Sequence, residues 1–174
     1  MSSNLKVSAL CACLWLICMH AAAADNFSAA ALRGVTTISV AVDGVDRNFV
    51  RYGLTTEKLR DQSSEQLARH GLTVVDERTA AADAAASQVS IRLRTATDSY
   101  GMYSYGLSVR LNRKVPLDSS GTAYVPSTVW SEGQNGILNP SDLPRIYDIV
   151  YKLLDQFVQA YNRHNRSTTV SAPG

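Results

Sequence analysis

The side chains best suited to chemistry in this 174-residue chain are two histidines, His70 and His164, a serine set between tyrosines, Ser104, and three arginines at strand-like spacing, Arg92, Arg94 and Arg110. An imidazole that holds a metal needs companion ligands at short spacing, and neither histidine has a second histidine or a carboxylate cluster beside it. Both instead fall at the ends of predicted helices, where an imidazolium interacts favourably with the terminal carbonyls. The run Gly101-Met102-Tyr103-Ser104-Tyr105-Gly106 has a serine between glycines. It lacks the Gly-x-Ser-x-Gly spacing, however, and it enters a strand with no helix following. Asp118 and Glu132 are isolated carboxylates, and no glycine-rich loop joins a strand to a helix to cradle phosphate. The residues thus specify no catalytic group, no metal set and no cofactor, and a non-enzymatic protein is expected. The alternative is a hydrolase built on Ser104 or a tyrosine, which needs a cleft with a carboxylate or histidine near that serine.

Two groups suit binding. Arg92 and Arg94 alternate with Val89, Ile91 and Leu93, and Arg110 alternates with Leu107, Val109 and Leu111. With a turn centred near Tyr100, Arg92 pairs with Ser108, Arg94 with Gly106 and Arg110 with Ser90. The next register would set Arg92 directly against Arg110, which like-charge repulsion disfavours. Three guanidinium groups then share one sheet face, with Arg113 and Lys114 at its end. Such a face suits phosphate or carboxylate groups, and it equally suits a solvated surface that discourages aggregation. The second group is Tyr100, Tyr103 and Tyr105 around the hairpin tip. These rings either form an exposed recognition patch or fold back to complete the core.

The elements that must position these groups follow from periodicity. Residues 35–42 alternate as a strand and end at Asp43-Gly44. Thr55 or Thr56 caps a helix running to about His70, with Glu57 in its first turn, and Gly71 supplies a left-handed cap. Residues 72–75 open a second strand, in a direction the pattern leaves undecided. The alanine-rich stretch 79–87 is a linker or short surface helix. A hairpin follows, with Asp98-Ser99-Tyr100-Gly101 at its turn and Pro116 ending its second arm. Residues 125–131 form a strand that Pro126 confines to an edge, which also makes it a candidate for pairing with another chain. Gly133 and Gly136 are expected to break the chain before a final helix capped by Ser141, with Pro144 in its first turn. That helix carries a wide apolar stripe through Ile146, Val150, Leu153, Phe157 and Tyr161. The expected fold is α+β, a two-layer sandwich of a mostly antiparallel sheet with two helices on one face, in the order β-α-β-β-β-β-α.

Composition bounds the class. Apolar residues make up 45% and charged residues 18%, enough for one core, and a formal net charge of +2 is too balanced for a nucleic-acid binder. Residues 1–24 have the layout of a secretory leader: Lys6, an apolar run over 7–19, then Ala22, Ala23 and Ala24 before Asp25, with cleavage between Ala24 and Asp25. The run is too short to span a bilayer, which needs ~20 residues. All three cysteines, Cys11, Cys13 and Cys18, lie inside it, so the cleaved chain has no thiol. Lipid anchoring at Cys13 is disfavoured, because the apolar run continues to Met19. The expected organisation is a leader over 1–24, an extension over 25–33, one domain over 34–165 and a tail over 166–174. The expected location is periplasmic or secreted, with no transmembrane segment after cleavage.

The phrases Gly53-Leu54-Thr55, His70-Gly71-Leu72-Thr73-Val74 and Asp155-Gln156-Phe157-Val158-Gln159-Ala160-Tyr161-Asn162 resemble a family of small exported bacterial proteins of unassigned function. In shape the chain is similar to envelope α+β domains such as the lipopolysaccharide-assembly lipoprotein and the N-terminal domain of the Tol-system propeller protein. The resemblance transfers no catalytic residue. It implies an accessory or binding protein of the cell envelope, contacting an envelope protein or an anionic lipid or glycan through its sheet face and hairpin tip.

Overall fold

The computed structural model describes residues 31–117 and 124–165. The leader with its Ala24–Asp25 junction, Asp118 and the tail from 166 lie outside the described residues. Alternation sets the sheet. The odd positions Val89, Ile91 and Leu93 of β3 (Ser87–Thr97) and Leu107, Val109 and Leu111 of β4 (Tyr103–Pro116) are buried. The even positions between them turn to the other face. β1 (Thr37–Asp43) pairs parallel with β3, β2 (Thr73–Val74) pairs parallel with β1, and β4 pairs antiparallel with β3 and with β5 (Tyr124–Leu138). The spatial order is β2-β1-β3-β4-β5, so the two-residue β2 and the long β5 are the edges. The second strand, undecided from its pattern, runs parallel to the first, and the longest ladders are the antiparallel ones.

The helices complete an α+β sandwich. α1 (Thr56–Arg69) packs on β1, and α3 (Arg145–Asn165) lies against β4 and β5. Thr55 caps α1, its Oγ1 accepting from the N–H of Lys58 at 3.2 Å. His70 closes that helix, and Gly71 follows at φ 86°, a conformation that a residue with a Cβ rarely adopts. The stripe of α3 buries Ile146, Val150, Leu153, Leu154, Phe157 and Val158 against Leu59, Leu67 and the odd-numbered face of the sheet. Two polar ties fix the helix pair. The Tyr147 hydroxyl donates to the Gly53 carbonyl and accepts from the Thr55 N–H, both at 3.0 Å. Buried Gln66 donates to the Tyr151 carbonyl at 3.0 Å. Among the described residues, no helix is long and apolar enough to cross a membrane.

Residues 47–52 form a 3-10 turn that drives Phe49 into the core. Of the two readings of the alanine-rich stretch, the short helix is the one observed, α2 (Glu77–Ala82). Leu32 is buried, and Asn165 at the end of α3 accepts from the Gly34 N–H and donates to the Leu32 carbonyl. Two expectations need correction. Ser141 does not cap α3: it sits in a 3-10 turn over Pro140–Asp142, and the helix begins after Pro144. Lastly, Gly133 and Gly136 do not break β5, which runs unbroken through both. They serve a close approach instead. A Cβ on Gly133 would meet the Leu107 carbonyl oxygen at 2.9 Å, and one on Gly136 would meet Tyr105 Cε1 at 2.7 Å.

The ring of buried Tyr105 therefore crosses β5 where Gly136 leaves room. We predict that Gly136→Ala displaces it and lowers stability in urea by ~1–3 kcal/mol, the range for overpacking; an unchanged midpoint contradicts this packing. Asp76 caps α2, accepting from the Thr79 N–H at 2.9 Å and from the Thr79 hydroxyl at 2.7 Å. The backbone bond, then the hydroxyl bond, hold its carboxyl below the usual carboxylate range. A depressed pKa contributes stability that is present at neutral pH and lost as pH falls through the carboxylate range. The melting-temperature gap between the parent and Asp76→Ala is thus predicted to shrink on acidification, and a gap constant with pH contradicts the cap.

Candidate functional site

The hairpin register places the arginines as expected. Arg92 pairs with Ser108, Arg94 with Gly106 and Arg110 with Ser90, all on the even-numbered face, away from α1 and α3. Arg92 and Arg94 are separated by one residue on β3, and Arg110 is the diagonal neighbour of Arg92 across the ladder, ~7–8 Å away. Arg94 and Arg110 are exposed. Arg92 leans toward Asp43, its cross-strand partner on β1, with Nε 3.3 Å from Oδ2. Nε finds no acceptor at hydrogen-bonding angle, so this contact is an ion pair and not a directed bond. With side-chain exposures of 42% and 70%, the pair contributes ~0–1 kcal/mol. Among the described residues, no carboxylate pairs with Arg94 or Arg110.

The two cations at the end of β4 do not extend this patch. Arg113 turns to the helix side and donates to the carbonyls of Ala31 and Arg33, at 2.7 and 3.2 Å. Lys114 donates to the carbonyls of Ala80, Ala81 and Asp83 at 3.0, 2.8 and 2.8 Å, which neutralises the end of α2. Together with buried Ala80 and buried Ser39, this contact lays α2 over one corner of the even-numbered face. The rest of that face has no described helix on it, so Arg94 and Arg110 stand away from the covered corner.

The tyrosines separate. Tyr100 at the tip is 89% exposed, in a turn that Asp98 holds by accepting from the N–H groups of Tyr100 and Met102 at 2.9 Å. Tyr103 packs edge-on to Phe49 with ring centroids 5.2 Å apart. Tyr105 is buried and accepts from Gln134 Nε2 at 3.1 Å. Alternation explains this division, because positions 103 and 105 share the parity of Leu107 and Val109 and so point to the core. The aromatic tip available to a partner is thus the single ring of Tyr100.

Ser104 lies on the even-numbered face, where its hydroxyl donates to the Ala96 carbonyl at 3.1 Å. His70 and His164 belong to the ends of helices in the opposite layer, so the fold does not bring either beside that serine. His164 lies elsewhere, in a groove of about 730 Å³ between β5 and α3. Its walls include Trp130 and Glu132 from β5 and Gln156, Gln159, Ala160 and Arg163 from α3. Sequence reasoning missed this groove. Its signal was the run Glu132, Gln134 and Gly136 at the helix-side positions of β5, where Val109, Leu107 and Tyr105 of β4 are their partners. Polar and missing side chains there give α3 nothing to cover between Trp130, which packs on Phe157 at 5.2 Å, and buried Leu138.

No family model matches the chain, and no curated protein matches it. Among solved structures, the PelC dodecamer from Paraburkholderia phytofirmans is similar at 14% identity and a TM-score of 0.41, over 72% of this chain and 88% of that one. A point variant of that dodecamer gives 16%, 0.42, 74% and 89%. A minor lipoprotein from Acinetobacter baumannii is similar at 12% identity and a TM-score of 0.31, over 74% of this chain and 92% of that one. Likeness at this level is one of general shape, and no functional argument is drawn from it.

Proposed function

We propose that the protein is an exported accessory protein of the bacterial cell envelope that works by binding and not by catalysis. Its contact surface is the even-numbered sheet face of Arg92, Arg94 and Arg110, with Tyr100 at its rim. Its ligand is an anionic envelope component bearing phosphate or carboxylate groups. The leader-like residues 1–24 support export. One observation carries the binding reading: three arginines share a sheet face that α1 and α3 leave uncovered, and among the described residues a single exposed carboxylate, Asp43, approaches any of them. Guanidinium presents a planar fork of donors that fits both oxyanions, and two such forks on adjacent strands can grip neighbouring groups of one ligand. Catalysis has no comparable support, since among the described residues no imidazole lies beside Ser104.

The test is cosedimentation with vesicles containing phosphatidylglycerol, against vesicles of phosphatidylcholine alone. A juxtaposed cation contributes ~1 kcal/mol near an anionic surface, so Arg94→Ser with Arg110→Ser should weaken binding by roughly tenfold or more. Binding should also fade as salt rises past ~0.15 M, since exposed charges are then screened. Equal binding of the double variant, or no preference for the anionic vesicles, contradicts this assignment.

A further inference from the structure

The second surface is independent of the arginine face, and it lies along β5. An edge strand presents a row of unpaired N–H and C=O groups, which proteins blunt with proline, bulges, charge or a covering element. The two edges of this sheet are handled differently. β2 is only two residues long, which leaves little to pair. β5 is fifteen residues long, and its two halves differ. The first half carries Pro126 opposite Lys114 and a bulge at Val129, which has no partner between the Leu111–Trp130 and Asn112–Thr128 pairs. Residues 130–138 carry neither proline nor bulge and pair regularly with β4 along their inner side. Among the described residues, no backbone group from another element bonds to their outer side.

The groove meets this unprotected half at its start, over residues 130–132, and continues beside the bulged residues 128 and 129. α3 forms its far wall through Gln156, Gln159, Ala160, Arg163 and His164, of which Arg163 already has a partner, and β5 its near wall through Trp130 and Glu132. A sixth strand added to residues 130–138 would turn every second side chain to the helix side, because side chains alternate across a strand, and those beside residues 130–132 would enter the groove. Nine paired residues span ~30 Å, enough for the added chain to run the length of the open edge. Within the groove Glu132 is exposed and, among the described residues, forms no ion pair. The apolar faces of Trp130 and Ala160 lie near it.

We infer that residues 130–138 and the groove between β5 and α3 form a docking site for an extended segment of a second polypeptide. The segment pairs by its backbone with β5 and sets a lysine or arginine over Glu132, with small apolar side chains two residues to either side. Backbone pairing supplies affinity and the groove supplies selection, the division seen wherever a peptide completes a sheet.

The probes are fluorescein-labelled nonapeptides of alternating threonine and valine with lysine, glutamine or glutamate at the centre, read by anisotropy against the full chain. The lysine peptide is expected to bind saturably and to be preferred over the glutamate peptide. Glu132→Gln should reduce the lysine preference by about threefold, the size of an exposed ion pair, while leaving the glutamine peptide unchanged. The lysine peptide methylated on alternate backbone nitrogens, so that it cannot pair as a strand, should not bind. The inference is overturned if no peptide binds at millimolar concentration, if the methylated peptide binds as well as its parent, or if the glutamate peptide is preferred. Sedimentation velocity of the protein alone supplies a further check. Self-association abolished by Asn135→Pro would assign this edge to a second copy of the chain and overturn the proposed occupant, whereas a monomer that still binds the lysine peptide supports it.

Discussion

Everything in this molecule depends on the register of the β3–β4 hairpin. Side chains alternate with a period of two, so a slip of one residue would exchange Val89, Ile91 and Leu93 for Ser90, Arg92 and Arg94 on the side facing the helices. Burial of the apolar set drives the correct pairing, at ~1.5–3 kcal/mol for each large side chain removed from water. The unwanted register would bury guanidinium groups without partners, which costs more than any local gain could offset. The same choice that builds the core therefore delivers the arginines to the opposite face. Binding surface and hydrophobic core are two consequences of one pairing.

The second constraint is the width of the helical layer. α1 and α3 cover the apolar stripes of β1, β3 and β4, and β5 extends beyond them with Glu132, Gln134 and Gly136 on its helix side. A ledge results between half-buried Trp130 and buried Leu138, with the groove at the Trp130 end. Gly136 leaves space for the Tyr105 ring, and Tyr105 in turn accepts from Gln134. Residues 130–138 thus pair regularly with β4 without a large apolar side chain on the helix side of their middle.

How much of this could be read in advance followed from how local each signal is. The hairpin pairing was legible because alternation over ten residues on each arm and a turn at Asp98–Gly101 act in concert. The first helix was legible through Thr55, Glu57 and Gly71, and the last through its apolar stripe. The full length of β5 was not, because Gly133 and Gly136 read as breaks when their neighbours in space are unknown. The burial of Tyr105 followed its odd-numbered parity, yet its proximity to the turn left exposure equally open. The groove had no local signature, since it arises where two elements fail to cover each other. Lys114 and Arg113, grouped by position with the arginine face, proved to bind carbonyls of other segments. A cation adjacent in sequence need not join a patch when a helix end or a turn offers it acceptors.

The central claim is that the sheet has one face that holds the fold and another that is free to bind. It is tested most directly by thermal unfolding of the triple variant Arg92→Ser, Arg94→Ser, Arg110→Ser beside the single variant Ile91→Ser. Surface substitutions change stability by ~0.5 kcal/mol each, so the triple variant should unfold cooperatively within about 3–6 °C of the parent. Ile91→Ser, which leaves both a cavity and a hydroxyl in the core, should lower the midpoint much further or abolish the transition. A triple variant that loses its cooperative transition would show that the arginines hold the fold together, and would contradict the account.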